Sequence, residues 1–333
     1  MLVSCLVGSL HSGCSRGGAQ AGASEPSGAS CGACSAPRYC RNAECVVPGR
    51  IVVSTKPGTG PADLGLTPMD ESDSEAPDSL AVSEADKRVY VLDQVNQRIQ
   101  IFHEGRHERA IPLPVRTIDD MARLANGRFV LVSQGDNAFF VIGEDGALVQ
   151  RLEFAALGLS EGELAWLHAQ SDGVYVSRSD TELTRLFDRN GEVVKGERSV
   201  QAAAMSPDGR SLLKLGPHQD ARLAFEYRGP GQSEWRAFEL TLRSNPNLLT
   251  ARAFDLDAQG NIYVLVEALW GKAPKFRRRA YLSVWSPELV EQRRINIASI
   301  TPDYHPHHLG FLTPEGFFYY LDISNKRIAV RRY

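Results

Sequence analysis

Leu92-Asp93-Gln94-Val95-Asn96-Gln97-Arg98-Ile99 returns 229 residues later as Leu321-Asp322-Ile323-Ser324-Asn325-Lys326-Arg327-Ile328. The shared L-D-x-x-N-x-R-I pattern reads as a hairpin, in which an apolar strand ends at Leu, Asp and Asn shape a tight turn, and a second strand starts at Arg-Ile. Asp accepts backbone N–H groups beside it, and Asn tolerates the left-handed conformation that a turn often needs. The separation is five periods of about 46 residues, the length of a propeller blade, so five intervals imply six blades.

Working outward from these two copies, a turn residue leads each of six apolar strands. Lys87 precedes Arg88-Val89-Tyr90-Val91, and Gly127, Gly173, Gly209, Gly260 and Gly316 precede Phe129, Val174, Leu212, Ile262 and Phe317. Short runs of β-branched and aromatic residues behind a turn signal strands, and no helical periodicity of useful length competes with them. In the first unit four strands are legible: Ser79 to Val82, Val89 to Leu92, Ile99 to Phe102 and Ala110 to Leu113. The second and third units add Glu144-Asp145-Gly146 and Arg189-Asn190-Gly191, where Asp-Gly and Asn-Gly favour two-residue hairpins. Four antiparallel strands per repeat define a propeller blade. The last unit stops at Tyr333 after its third strand, and the isolated Arg50-Ile51-Val52-Val53-Ser54 is placed to supply the fourth. That closure would remove two exposed edges. The expected fold is an all-β, six-bladed propeller spanning residues 49–333.

Pro77-Asp78-Ser79-Leu80-Ala81-Val82 through Val91-Leu92-Asp93, Asn96 and Arg98-Ile99-Gln100-Ile101-Phe102 resembles an NHL repeat. The final blade keeps Leu321-Asp322, Asn325 and Arg327-Ile328 but ends in Val330-Arg331-Arg332, where the family places an aromatic. The middle units share its period and turn chemistry. What the resemblance implies is a propeller used for binding, scaffolding or, less often, catalysis, and fold alone does not choose among these.

The first 48 residues read differently. Met1 to Leu10 is apolar but half the length needed to span a bilayer, so residues 1–14 read as a signal segment with a lipoprotein-like cleavage site at Cys14. Cys5 has the better preceding residues but leaves no room for a signal unless the chain starts upstream, and ordinary export with cleavage at small residues is the third reading. Residues 15–30, rich in Gly, Ala and Ser, form a flexible tether. In residues 31–48, Cys31, Cys34, Cys40 and Cys45 are spaced C-x2-C-x5-C-x4-C. Zinc sites usually pair two C-x2-C units or add His, whereas export makes disulfides the default, with three connectivities open.

Net charge is −3, which gives no ground for nucleic acid as a partner. Charge is segregated locally. Asp63 to Asp78 carries six acidic residues and no basic one, and Lys272 to Arg279 reads as a basic loop in which Arg277, Arg278 and Arg279 could fork an anion. Counting back about eight residues from each turn places Ser79, Asp119, Glu163, Gln201, Arg252 and His308 at the mouth of the central channel. Asp119, Glu163 and His308 could hold a divalent metal there, as in propellers that resemble lactonases or lyases, although Arg252 opposes a cation. Tyr304-His305-Pro306-His307-His308 has the makings of an irregular loop. No phosphate loop, nucleophile elbow or paired-His zinc motif is present. Trp166, Tyr263 and Trp285 are expected in the core, and Trp235 and Trp270 nearer loops. The sequence therefore points to a monomeric, cofactor-free binding or scaffolding propeller of the bacterial cell envelope. It would be lipid-anchored and take a protein or glycan partner; the alternative is a hydrolase or lyase with a metal at the channel mouth.

Overall fold

Lys87, Gly127, Gly173, Gly209, Gly260 and Gly316, the six turn residues, all have positive φ, and each lies at or within three residues of the start of a strand. The computed structural model of the chain describes residues 49–67, 75–160, 166–179, 182–219, 221–244, 246–272, 275–297, 310–324 and 326–333, with the backbone of a hairpin at 39–41 and 44–46.

Those strands build six four-stranded sheets, five of them paired in sequence order. Blade 1 is Ser79–Ser83, Arg88–Asp93, Arg98–His103 and Arg106–Pro112. Blade 2 is Asp120–Arg123, Phe129–Ser133, Ala138–Ile142 and Leu148–Glu153. Blade 3 is Leu167–Gln170, Gly173–Ser179, Glu182–Asp188 and Val193–Val200. Blade 4 is Ala204–Met205, Leu212–Gln219, Arg222–Arg228 and Arg236–Thr241. Blade 5 is Leu248–Leu256, Ile262–Lys272, Lys275–Trp285 and Glu291–Ile297. Blade 6 takes Gly310–Leu312, Phe318–Ser324 and Arg327–Arg332, and its fourth strand is Arg50–Thr55 from the other end of the chain. The closure is antiparallel, with Val53 opposite Val330 and Ser54 opposite Ala329. Helix among the described residues is confined to two 3-10 turns, Gln94–Asn96 and Phe154–Leu157.

The core fills the wedges between neighbouring blades. Tyr90 meets Phe129 between blades 1 and 2 at a ring distance of 5.4 Å, Phe139 meets Phe187 between blades 2 and 3 at 5.4 Å, and Phe225 meets Phe254 between blades 4 and 5 at 6.0 Å. Each pair is tilted edge to face, the arrangement ring quadrupoles favour. Blade 2 contributes to two of these wedges, through Phe129 on one side and Phe139 on the other.

The repeated phrase proves to be a lock on the seam. Its turn is one 3-10 turn closed by Gln97 at φ 55, so the left-handed residue is Gln97 and not Asn96 as expected from the sequence. Asn96 is used through its side chain, which donates to Asp93 Oδ2 (2.9 Å) and to the Gly58 carbonyl (3.0 Å). Arg98 donates to the carbonyls of Gly60 (2.8 Å) and Asp63 (2.7 Å), and Gln100 donates to Pro61 and Asp63. Asp93 Oδ1 accepts the Gly65 N–H at 2.8 Å. Burial raises the Asp93 carboxyl above its ordinary pKa, against the opposing pull of Asn96, the Gly65 N–H and Arg98. The first copy thus grips the segment that leaves the closing strand.

At the other end of the same seam the blade 1 hairpin at Gly105 abuts that strand. Gly105 has φ +80, and a Cβ there would sit 2.6 Å from the Val52 carbonyl oxygen. Gly105→Ala is therefore expected to cost about 1–3 kcal/mol through strain and displacement of the hairpin. Urea unfolding reads it, and an unchanged midpoint would mean that this hairpin does not close on Val52.

Met1–Pro48 is a separate unit. Its described part is the backbone hairpin Tyr39–Arg41 with Glu44–Val46, in which Cys40 lies opposite Cys45. Cys14, Cys31 and Cys34, and the tether at 15–30, lie outside the described residues.

Candidate functional site

The first strands of the six blades surround a channel, and their starting ends define one mouth. Two cavities occupy it, about 270 Å3 at that mouth and about 310 Å3 toward the other end. His168 and Asp255 line both cavities, as do Gly310 and Leu312, so these four mark the waist. Asp255 Oδ1 accepts the Leu256 N–H at 2.8 Å.

The mouth cavity has aromatic walls from Trp166, Phe254 and Phe318, with Leu215 and Ala203 between them. Gly310 is required here by close approach, since a Cβ would collide with the Phe318 ring. Arg252 reaches the cavity because its strand is irregular. Ala251 pairs with Val266 and Ala253 with Leu265, leaving Arg252 as an extra, unpaired residue. Such a bulge re-aims its side chain.

Arg252 is fixed by Glu267. Its Nε donates to Glu267 Oε2 at 2.6 Å and its Nη2 donates to the same oxygen. Arg278 Nε lies 2.7 Å from Glu267 Oε1. Glu267 is 3 % exposed and the two guanidiniums about a quarter. Tyr320 lies in the field of this triad. Complete burial, then the charge of Asp322, holds its phenol far above the ordinary range, so it stays neutral. Asp322, from the second copy of the repeated phrase, is paired with Arg331 at 2.6 Å.

Of the residues expected at the mouth, Ser79 begins the first strand of blade 1 and is buried, and Arg252 lines the cavity. Asp119 falls one residue short of its strand, where Oδ2 accepts the Gln134 N–H at 2.6 Å and so braces a turn within blade 2. Gln201 lies ahead of its strand and is exposed. Glu163 and His308 lie outside the described residues. Among the described residues no three His, Cys, Asp or Glu side chains come together as a metal site. Sequence reading missed Asp120, buried and accepting the Leu167 N–H of blade 3 at 2.7 Å, and the waist pair His168 and Asp255. The signal for His168 was the short strand Leu167–Gln170 ahead of Asp172-Gly173, closer to its turn than eight residues.

The basic segment is a hairpin rather than a loop: Trp270 lies opposite Arg277 and Lys272 opposite Lys275. It extends beyond Leu248, the start of the first strand of blade 5, which pairs with Leu269. Alternation separates the three arginines. Arg278 turns to Glu267, Arg279 lies 5.8 Å over the Trp270 ring, and Arg277 and Lys275 are exposed. The Trp270 indole donates to the Ser244 carbonyl at 3.1 Å. Tyr263 is buried and Trp285 packs against the core, as expected, but Trp166 belongs to the channel mouth. Trp235 is capped by Lys214 at 4.1 Å and Arg228 at 4.9 Å.

No family model matches the sequence, and no curated protein does. Solved structures share the fold. Hydrazine synthase of Kuenenia stuttgartiensis is similar with TM-score 0.50 at 11% identity, over 77% of this chain and 77% of that one. A member of the DUF4221 family from Bacteroides vulgatus is similar with TM-score 0.50 at 10% identity, over 85% of this chain and 98% of that one. A gluconolactonase from Xanthomonas campestris gives TM-score 0.46 at 12% identity, over 87% and 89%. At these identities the two likenesses at TM-score 0.50 show the fold alone and leave function to the site.

Proposed function

We propose that this propeller is a non-enzymatic binding module of the bacterial cell envelope, anchored through a lipid on Cys14 and presenting the mouth face to a protein or glycan. The observation that carries the reading is the commitment of two of the described charged groups at the mouth to internal contacts. Asp119 holds a backbone N–H, and Arg252 is held against Glu267. An arginine fixed this way is a recognition group and a poor proton donor. Lys275 and Arg277 stand exposed on the hairpin at the same face and supply an anion contact for the partner.

The test is recovery of the full chain from envelope fractions beside Cys14→Ala and a Lys275→Ser, Arg277→Ser double variant. Expected are release of Cys14→Ala into the soluble fraction, and one consistent partner that the hairpin variant loses while a Lys87→Ser control on the other face keeps it. Turnover of a small substrate by purified protein with a divalent metal retained through dialysis would overturn the reading in favour of a hydrolase or lyase.

A further inference from the structure

We propose that the mouth cavity binds a small apolar carboxylic acid, with Arg252 as the group that takes its carboxylate. Three observations meet there. The cavity, about 270 Å3, is walled by Trp166, Phe254, Phe318 and Leu215, which suits an aromatic or branched apolar body. Arg252 is the cationic side chain among the described lining residues of that cavity, delivered by the bulge in its strand. And Arg252 shares its counterion: both of its bonding nitrogens fall on one oxygen of Glu267, whose other oxygen faces Arg278. Glu267 is the hydrogen-bond partner of Arg252 among the described residues, through Nε and Nη2, which leaves Nη1 to a ligand.

A carboxylate beside Arg252 would give the second guanidinium of the triad a second anion in a partly desolvated place, where charge-assisted hydrogen bonds are strongest. Two other titratable groups face the cavity, His168 and Asp255 at the waist.

The cavity opens on the same face as the hairpin, but its test uses small probes with the chain alone and does not pass through the partner. The probes are 3-phenylpropionate, its neutral isostere 3-phenylpropanamide and the cationic 3-phenylpropylamine, titrated calorimetrically into the full chain. The acid is expected to bind at least about tenfold more tightly than the amide, with the amine weakest. In Arg252→Gln the preference for acid over amide should vanish while the urea midpoint falls only modestly, because Glu267 keeps Arg278. Leu215→Trp, which narrows the cavity and leaves the triad alone, should weaken acid and amide together. The proposal is overturned if the amide or amine binds as tightly as the acid, if Arg252→Gln keeps the preference for the acid, or if the acid does not bind at millimolar concentration.

Discussion

Glu267→Leu is expected to destabilise the propeller by about 3–5 kcal/mol, because it removes the single carboxylate that holds two guanidiniums at a partly buried position. Glu267 is 3 % exposed, and Arg252 and Arg278 reach it from different strands of blade 5, one on either oxygen. Without it both arginines keep their charge, since a guanidinium does not release its proton, and Arg252 loses the carboxylate that its Nε and Nη2 bond. The Tyr320 phenol beside them is neutral and offers no replacement anion. Removing an arginine is milder. Arg252→Gln leaves a Glu267–Arg278 pair and is expected to cost on the order of 1 kcal/mol. Adding Arg252→Leu to Glu267→Leu should restore part of the loss, a coupling that a double-mutant cycle measures directly. A Glu267→Leu loss within about 0.5 kcal/mol, as for an ordinary surface change, would mean that the triad is a solvated decoration.

The triad also shows where sequence reading stops. Arg277, Arg278 and Arg279 look equivalent as a run, and as a loop they would be. In a hairpin, successive residues face opposite ways, so the middle arginine alone meets Glu267. The blades themselves were legible because each depends on a local requirement. A residue at positive φ must precede the second strand, and five of the six turns meet that need with glycine. The positions of the first strands depend instead on the connections before them. Counting back a fixed distance worked for Ser79, fell one short for Asp119 and missed blade 4, whose first strand is only Ala204–Met205. Arg252 lines the cavity, yet its orientation rests on an irregular register with Val266 and Leu265 that no local residue type announces. The repeated phrase divided in the same way. Its hairpin was readable, but the grip of Arg98, Asn96 and Gln100 on Gly58 to Asp63 joins residues some 35 to 39 positions apart and emerges only when the ring is closed.

Closure of that ring gives the second large effect. Val53→Asp is expected to cost on the order of 4 kcal/mol or more, whereas Ile51→Asp, two residues earlier in the same strand, should stay within about 0.5 kcal/mol. The difference follows from a bulge: Val53 pairs with Val330 and Ile51 with the next residue, Arg331, so Val52 is an extra residue and the two positions no longer share a face. Val53 is 1 % exposed and packs with Leu80, Val89, Leu321 and Val330, while Ile51 is 40 % exposed. A carboxylate at Val53 would enter the wedge between blades 6 and 1 without a partner, and the loss is a large share of the 5–15 kcal/mol that stabilises an ordinary domain. Its consequence exceeds local damage because this strand seals the ring. If it detaches, Arg327–Arg332 becomes an open edge and the Lys56 to Leu64 segment loses the anchor that feeds it to Arg98. Val53→Asp should therefore melt at lower temperature and elute partly as oligomers on gel filtration, and Ile51→Asp should do neither. Equal behaviour of the two variants would contradict closure by Arg50–Thr55, because that bulged pairing is what buries Val53 and leaves Ile51 exposed.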